Sequence, residues 1–340
     1  MRIAQVAPLH ESVPPVLYGG TERVVSYLTE ELVKQGHEVT LFASGDSTTQ
    51  ARLIPVSEKG LRLDEQVSDP LAHHFVLLEE VLARAADFDI IHFHIDYLHF
   101  PFSQRQNTPH VTTLHGRLDL PDLIPLHKKF SEIPLVSISN AQREPLAWAN
   151  WQGTVYHGLP LDLYRASTEA GKYLVFLGRV SAEKRFDRAV EIAKRVNMPL
   201  KFATKVDDMD RQYFEEVMKT VDERLMEGVG EVGESDKEEL LANAYALLFP
   251  IDWPEPFGLV MIESMACGTP VIAYRCGSVP EIIDDGVTGF IVDDLDAAVE
   301  AVPKIRDLDR NLCRRSFEDR FSATRMAQDY VAIYERLIKS

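Results

Sequence analysis

Two glutamates eight positions apart are the residues of this chain best suited to chemistry. Glu255 and Glu263 bracket a Phe-Gly pair and the beginning of an apolar helical pattern. The pattern predicts a helix that begins beside Glu255, where free backbone N–H groups accompany the positive end of the helix dipole. Glu263 falls on the next turns of the same helix. Carboxylate acceptors and bare backbone donors within one short reach suit a ligand rich in hydroxyl groups.

A second group of candidate residues is cationic. Arg179 and Lys184 follow a predicted buried strand over 174–177, with Gly178 at the strand end. Charge-assisted hydrogen bonds to phosphate contribute roughly 1.5–3 kcal/mol each, and arginine makes two of them where lysine acts as a point charge. The pair therefore predicts a diphosphate site. Two solvated cations at a helix start are the alternative, although positive charge is disfavoured there.

Gly20 and His115 each follow a predicted strand in the first half of the chain. Gly20 stands in Tyr-Gly-Gly-Thr at the start of a predicted helix, where a ligand could approach the backbone. This is not the G-x-G-x-x-G pattern of dinucleotide-binding enzymes, which disfavours an NAD-linked dehydrogenase. His115 ends a strand in the context Leu-His-Gly, where an imidazole could meet a sugar. A structural histidine is the alternative.

Two further histidines, His92 and His94, alternate on a predicted strand, so their imidazoles point to the same side, as in a metal pair. Asp96 or His99 could supply a third ligand. A structural role is the favoured interpretation, and no metal site is expected.

The elements that must position these residues alternate between strand and helix. Strand-like runs in the first half lie at 2–7, 38–43, 89–93, 111–114 and 135–139, with helices over 21–35 and 71–86. The second half has strand-like runs at 172–177, 200–203, 244–249, 271–274 and 290–292. Ser235 is a candidate cap for a helix over 236–243, and a last amphipathic helix covers 322–338. This alternation predicts an α/β fold with parallel, doubly wound sheets.

Composition limits the classes of function. A chain of 340 residues with 45% hydrophobic residues fits two globular domains. Its net charge of −17 is spread over both halves, so no basic stripe is available for nucleic acid. Three cysteines without a C-x-x-C pattern predict neither a disulfide framework nor a zinc site. No apolar run is long enough to cross a bilayer and the N-terminus reads as a strand, so we expect a cytoplasmic protein.

These segments together resemble the retaining GT-B glycosyltransferases of the family 4 (glycosyl transferases group 1) type. The likeness is carried by the Glu-x7-Glu segment 255–263, the Gly-Arg…Glu-Lys segment 178–184 and the Leu-His-Gly segment 114–116. It implies two Rossmann-like domains facing across a cleft. Residues 1–165 would form the acceptor-side domain, onto which the helix 322–340 crosses back, and residues 166–321 the nucleotide-sugar-binding domain.

The resemblance also implies a role for each candidate residue. Catalytic roles fall to four residues: His115, Arg179, Lys184 and Glu255. Glu263 would bind the ribose of the donor, and the cations its diphosphate. The remaining donor contacts would come from Gly20, Val232, Phe257, Gly258 and Leu259. Relatives usually carry a glycine after the lysine, whereas this chain has Arg185.

The implied activity is metal-independent transfer of a sugar from a nucleoside-diphosphate sugar to an acceptor hydroxyl with its anomeric configuration kept, without a cofactor. The base, sugar and acceptor stay open. Segment 121–130 carries only Lys128 and Lys129 as a basic pair, so strong membrane docking is not expected. Alternatives are a nucleotide-sugar epimerase, a phosphorylase-type enzyme with pyridoxal phosphate, and a non-catalytic nucleotide-sugar-binding protein.

Overall fold

The chain divides into two compact units. A computed structural model describes residues 1–16, 18–206, 208–222 and 224–339. The first unit comprises Met1–Pro160 and Ala323–Ser340, and the second comprises Leu161–Ser322. The division therefore lies a few residues before the sequence-based boundary at 165, and the last helix groups with the N-terminal unit.

A seven-stranded parallel sheet forms the centre of the first unit, in the order β3-β2-β1-β4-β5-β6-β7. Its strands are β1 (Arg2–Val6), β2 (Glu38–Ser44), β3 (Arg52–Ser57), β4 (Ile90–Phe93), β5 (His110–Thr113), β6 (Leu135–Ser137) and β7 (Trp151–Thr154). The helices of this unit are α1 (Gly20–Lys34), α2 (Pro70–Leu82), α3 (Phe100–Ser103), α4 (Leu123–Lys129), α5 (Asn140–Arg143) and the last helix of the chain, Ala323–Lys339.

The second unit contains a six-stranded parallel sheet in the order β10-β9-β8-β11-β12-β13. Its strands are β8 (Leu174–Arg179), β9 (Leu200–Lys205), β10 (Met226–Gly230), β11 (Ala246–Phe249), β12 (Val271–Tyr274) and β13 (Gly289–Val292). The helices are α6 (Phe186–Val196), α7 (Arg211–Met218), α8 (Glu234–Ala242), α9 (Leu259–Ala266), α10 (Val279–Ile282), α11 (Leu295–Ala301) and α12 (Arg310–Arg320), so that the last helix of the chain is α13.

The central strands are apolar because helices cover both faces of each sheet. β4, β11 and β12 are buried throughout, which explains why the sequence shows them as largely apolar runs, interrupted in β4 by His92, rather than as alternating ones. The stripe on α13 that includes Met326, Tyr330 and Tyr334 is also buried. The expected α/β class with two parallel sheets is confirmed.

Two local predictions about helix starts were wrong. α9 begins at Leu259 with Gly258 as its N-cap, so Glu255 lies in the preceding loop rather than beside the helix terminus. α8 begins at Glu234 after Gly233, so Ser235 is inside the helix and caps nothing. No helix among the residues described is both long and apolar enough to span a bilayer.

Candidate functional site

The cationic and acidic candidates of the second unit leave the sheet at the same edge. Arg179 is the last residue of β8, and Lys184 follows in the turn before α6. Glu255 follows β11, which pairs directly with β8 in parallel. The carboxyl ends of neighbouring parallel strands are where α/β sheets bind ligands, because the loops that leave them converge there.

Lys184 and Glu255 form an ion pair at this edge. The ammonium of Lys184 donates to Oε2 of Glu255, and the side chains are 20% and 12% exposed. Nε1 of Trp253 donates to the same carboxylate oxygen at 3.1 Å. The ammonium also lies 5.1 Å from the centre of the Trp253 ring and 5.6 Å from that of Phe249. The cation expected at a diphosphate and the carboxylate expected at a sugar therefore contact each other directly.

The backbone around Glu255 is held by Gly277 and Ser278, two residues that the sequence reading missed. Ser278 donates its backbone N–H to the Glu255 carbonyl at 3.0 Å and its hydroxyl to the Phe257 carbonyl at 2.7 Å. Gly277 has φ +54, and a Cβ there would lie 2.4 Å from both N and O of Glu255. A glycine beside a serine just after β12 was the available signal, but its partner is distant in sequence.

Glu263 is buried on α9 and neutralised by Lys237, which the sequence reading also missed. Nζ of Lys237 donates to Glu263 at 2.8 Å and to Glu234 at 3.0 Å. The hydroxyl of Tyr164 donates to the other oxygen of Glu234 at 2.5 Å. The side chains of Lys237 and Glu263 are 10% and 4% exposed. A fixed carboxylate of this kind can accept hydrogen bonds from hydroxyl groups without first reorganising.

Arg179 and Arg185 both lie beside carboxylates. The Arg179 guanidinium lies 3.9 Å from Glu183 and 4.0 Å from Asp210. Arg185 binds Asp187 at 2.9 and 2.8 Å and Asp252 at 2.9 Å. Its φ of +53 is left-handed, a conformation that favours glycine. The arginine is thus held in a glycine-like turn by two carboxylates.

The remaining candidates of the second unit line the approach to α9 and α8. The ring of Phe257 is buried, and Leu259 is the first residue of α9 after Gly258, whose φ is +78. Val232 lies half-buried between β10 and α8. The structure therefore brings Phe257, Gly258 and Leu259 next to the loop of Glu255, whereas Val232 lies at the entry to the helix that carries Lys237.

Gly20 and His115 belong to the first unit. Gly20 is the first residue of α1, after Gly19 at φ +154. His115 follows β5, and its Nε2 lies 2.9 Å from Nδ1 of His94. The ring stacks on that of His157, with centroids 5.3 Å apart and planes at 19°. Burial lowers the pKa of His115 to about 3, so the imidazole is neutral near pH 7.

Protein groups occupy the ring nitrogens of His92, His94 and His99, the histidines that could have been metal ligands. His92 bonds the Tyr334 hydroxyl and the Thr113 hydroxyl, each at 2.7 Å. His94 bonds His115 and Gln5, the latter at 2.8 Å. His99 bonds Ser103 and Thr112 with both of its nitrogens. Within the described part of the chain, no group of three or more His, Cys, Asp or Glu side chains is arranged to hold a metal ion.

Two family models match the chain. Residues 18–152 match the model described as "Glycosyltransferase Family 4", and residues 165–316 match "Glycosyl transferases group 1". The two matches follow one another and between them contain every candidate residue named above.

Individual proteins similar to the chain agree with these models. The N-acetyl-alpha-D-glucosaminyl L-malate synthase of Bacillus anthracis is 35% identical over 109 residues, 30% of this chain and 28% of that protein. The solved structure of AviGT4, a glycosyltransferase involved in avilamycin A biosynthesis, is 25% identical with a TM-score of 0.79, covering 100% of this chain and 98% of that one. The sucrose-phosphate synthase of Thermosynechococcus elongatus has a TM-score of 0.81 at 20% identity, covering 100% and 99%. In the first curated relatives, the matched segments span less than half of the relative's length.

Proposed function

The chain belongs to the group 1 glycosyltransferases, and we propose that it transfers a sugar from a nucleoside-diphosphate sugar to an acceptor hydroxyl. In this proposal the anomeric configuration of the sugar is kept and no protein-bound metal takes part. The observation that carries the proposal is the direct contact between Lys184 and Glu255 at the edge where β8 and β11 end.

That contact places two opposite requirements of the reaction side by side. The bond to be broken joins the anomeric carbon of the sugar to an oxygen of the diphosphate. A cation is needed on the phosphate side, where negative charge grows, and a hydrogen-bond acceptor on the sugar side, where positive charge develops. Lys184 and Glu255 neutralise each other while partly buried. Donor binding would exchange that contact for Lys184 to phosphate and Glu255 to sugar hydroxyl.

The reaction then requires little covalent chemistry from the protein. The acceptor oxygen forms the new bond to the anomeric carbon as the bond to the diphosphate breaks, and the acceptor proton passes to the departing phosphate oxygen. Lys184 and Arg179 would stabilise the growing negative charge, and Glu255 and His115 would hold the sugar. Positioning and electrostatic stabilisation carry the rate in such a mechanism.

The nucleoside end of the donor would be fixed by Glu263. Because Lys237 holds one carboxylate oxygen at 2.8 Å, the carboxylate is oriented before the ligand arrives. Ribose offers two neighbouring hydroxyl groups, which match a carboxylate acceptor. Phe257, Gly258 and Leu259 would supply backbone contacts to the sugar, Gly20 would approach the phosphate and Val232 the base.

The first experiment is a thermal-shift panel of UDP, GDP and ADP with their common sugar conjugates. Ligand at about 100 times its Kd stabilises the folded state by roughly 2.7 kcal/mol. We expect one base to shift the melting temperature selectively. That donor is then incubated with candidate acceptors, and nucleoside diphosphate release and glycosylated product are measured together.

The decisive variant is Lys184→Ala, with Lys201→Ala on β9 as a matched control. Lys201 pairs with Glu227 at 3.1 Å on the surface and has no proposed role. We expect Lys184→Ala to lower turnover by roughly 100-fold or more, as loss of a preorganised charge contact does, and Lys201→Ala to leave it unchanged. Normal transfer by Lys184→Ala would refute the phosphate role. Interconversion of nucleotide sugars without an acceptor would favour an epimerase instead, and binding without any turnover would favour a sensor.

A further inference from the structure

A hydrogen-bonded network of buried side chains connects α13, the last helix of the first unit, to His115. Nε2 of Gln5, on β1, donates to the hydroxyl of Tyr334 on α13 at 3.2 Å. Oε1 of the same amide lies 2.8 Å from Nε2 of His94, and Nδ1 of His94 lies 2.9 Å from Nε2 of His115. Gln5, His94 and Tyr334 are all buried. None of the three has a part in the reaction proposed above.

The Gln5 amide determines where each proton of this network lies. Its Oε1 can only accept a hydrogen bond, so Nε2 of His94 must carry a proton. Burial holds the pKa of His94 well below 6.5, so the ring is neutral and its Nδ1 is an acceptor. The proton shared with the next ring therefore belongs to Nε2 of His115. Nδ1 of His115 is left with a lone pair and no proton.

The Tyr334 hydroxyl connects the Gln5 amide to His92. The tyrosine hydroxyl has one proton, and it also lies 2.7 Å from Nδ1 of His92. Since the oxygen accepts from Gln5, the proton is donated to His92. Nε2 of His92 then donates to the Thr113 hydroxyl at 2.7 Å. Turning the amide around would reverse each of these hydrogen bonds, so the amide orientation and the proton positions are linked through the whole network.

The hydrogen-bonded network ends at Nδ1 of His115. The atom is buried and has no hydrogen-bond partner among the described residues. A buried acceptor left without a donor costs about 1–3 kcal/mol. The ring cannot easily turn to relieve this cost, because Nε2 is bonded and one face is stacked on His157. The lone pair therefore lacks a donor among the residues that the structure describes.

We propose that Gln5 and His94 are positioning residues that hold His115 as the Nε2-protonated tautomer, so that its Nδ1 accepts a hydrogen bond from a hydroxyl group of the bound sugar. This inference rests on the proposed function, which supplies the sugar. The position selects a ligand group that can donate. A hydroxyl satisfies it, whereas a fluorine or an ether oxygen at the same carbon would leave the lone pair unsatisfied. Tyr334, which accepts a hydrogen bond from Gln5, links α13 to the same network.

The tautomer can be measured without any ligand. The protein is labelled with ¹⁵N-histidine, and long-range ¹H–¹⁵N correlation assigns the protonated nitrogen of each ring, with His115→Gln identifying the His115 signals. We expect His115 to be protonated on Nε2 and bare on Nδ1. Protonation on Nδ1 would overturn the inference. In Gln5→Leu the His115 signals are expected to shift toward a mixture of the two tautomers.

The catalytic consequence is measured with His94→Phe and with Tyr334→Phe, the milder change. Loss of an outer partner that orients a functional imidazole costs about 10- to 100-fold. We expect such a fall in kcat for His94→Phe with the Kd for the free nucleotide unchanged, and a smaller fall for Tyr334→Phe. His99→Phe is the matched control, because His99 is an equally buried histidine bonded to Ser103 and Thr112 outside this network. It should leave kcat within about 3-fold of wild type.

Different results would refute the proposed function and the positioning role of Gln5 and His94. Wild-type protein that binds no nucleotide sugar would refute the proposed function, while the spectrum would still decide the tautomer. Wild-type protein that is active, with His94→Phe and Tyr334→Phe both retaining full kcat, would refute the positioning role alone.

Discussion

Replacement of Lys237 by methionine removes the counter-charge of Glu263, the most deeply buried carboxylate of the candidate site. The side chains of Lys237 and Glu263 are only 10% and 4% exposed, and their charged atoms are 2.8 Å apart. Lys237→Met keeps the apolar length of the side chain and removes the ammonium. Glu263 would then be left buried without its counter-charge.

The expected destabilisation follows from that burial. Removing one partner of a buried ion pair typically costs about 3–5 kcal/mol, because the remaining charge is uncompensated. In a unit of the size of Leu161–Ser322, each kcal/mol lowers the melting temperature by about 2–4 °C. Lys237→Met should therefore melt roughly 6–20 °C below wild type. Glu234 contributes less to this loss, because its side chain is 30% exposed and keeps the hydrogen bond from Tyr164.

The control is the same substitution at an exposed ion pair. Lys201 and Glu227 lie 3.1 Å apart with side chains 33% and 62% exposed, and such pairs contribute about 0–1 kcal/mol. Lys201→Met should melt within about 4 °C of wild type. Adding Glu263→Gln to Lys237→Met removes the uncompensated charge and should restore part of the loss. Equal melting temperatures for Lys237→Met and Lys201→Met, or a lower one when Glu263→Gln is added to Lys237→Met, would show that Lys237 does not compensate a buried Glu263 charge.

Three further predictions concern the turns around the site and the buried histidines. The free energy of unfolding should be about 1 kcal/mol higher for Arg185→Gly than for Arg185→Ala, because both variants lose the same ion pairs and only glycine accepts φ +53 without strain. Equal urea midpoints for the two variants would contradict this. Gly277→Ala should displace the backbone of Glu255, which would raise the KM for the donor and lower the stability by about 1–3 kcal/mol. Steady-state kinetics and thermal melting measure the two effects, and an unchanged KM would show that Gly277 does not position Glu255. Acidification should destabilise the protein. The pKa of His115 is about 3 in the folded state and 6.5 in the unfolded state, so its contribution to stability is complete above pH 6.5 and is lost as the pH falls toward 3. Glu22, with its pKa raised to about 7 by burial, acts in the opposite direction between pH 4.5 and 7. Burial also lowers the pKa of four other histidines: His92, His94, His99 and His157. The urea midpoint should therefore fall between pH 7 and pH 5, and a rise would show that these histidines are not buried in the neutral form.

The strands that the sequence predicted and those that it missed differ in position. Central strands such as β11 and β12 are buried on both faces and appear as apolar runs. The three missed strands, β3, β7 and β10, each form an edge of a sheet. They are partly exposed and contain Pro55, Gly153 or two glycines, so neither alternation nor hydrophobicity marks them. Their pairing comes from the neighbouring strand rather than from their own composition.

The site shows the same contrast. Glu255, Glu263, Arg179 and Lys184 could be selected from the sequence because their types and spacing, together with the family resemblance, indicated a ligand. Lys237 could not be selected in this way. It is one lysine in an acidic helix, and only the packing of α8 against α9 makes it the counter-charge of Glu263. Gly277 was equally hidden, since its closeness to Glu255 is created by the β11–β12 pairing.

The sequence by itself determined the α/β class, the identity of the charged candidates and the family, because these depend on residue types at short spacings. The tertiary structure decided what each candidate contacts: Lys184 contacts Glu255, Lys237 neutralises Glu263, and Nε2 of His115 lies against Nδ1 of His94. Each of these contacts joins residues tens of positions apart. They exist because parallel strands bring their carboxyl ends to one edge, where loops distant in sequence become neighbours.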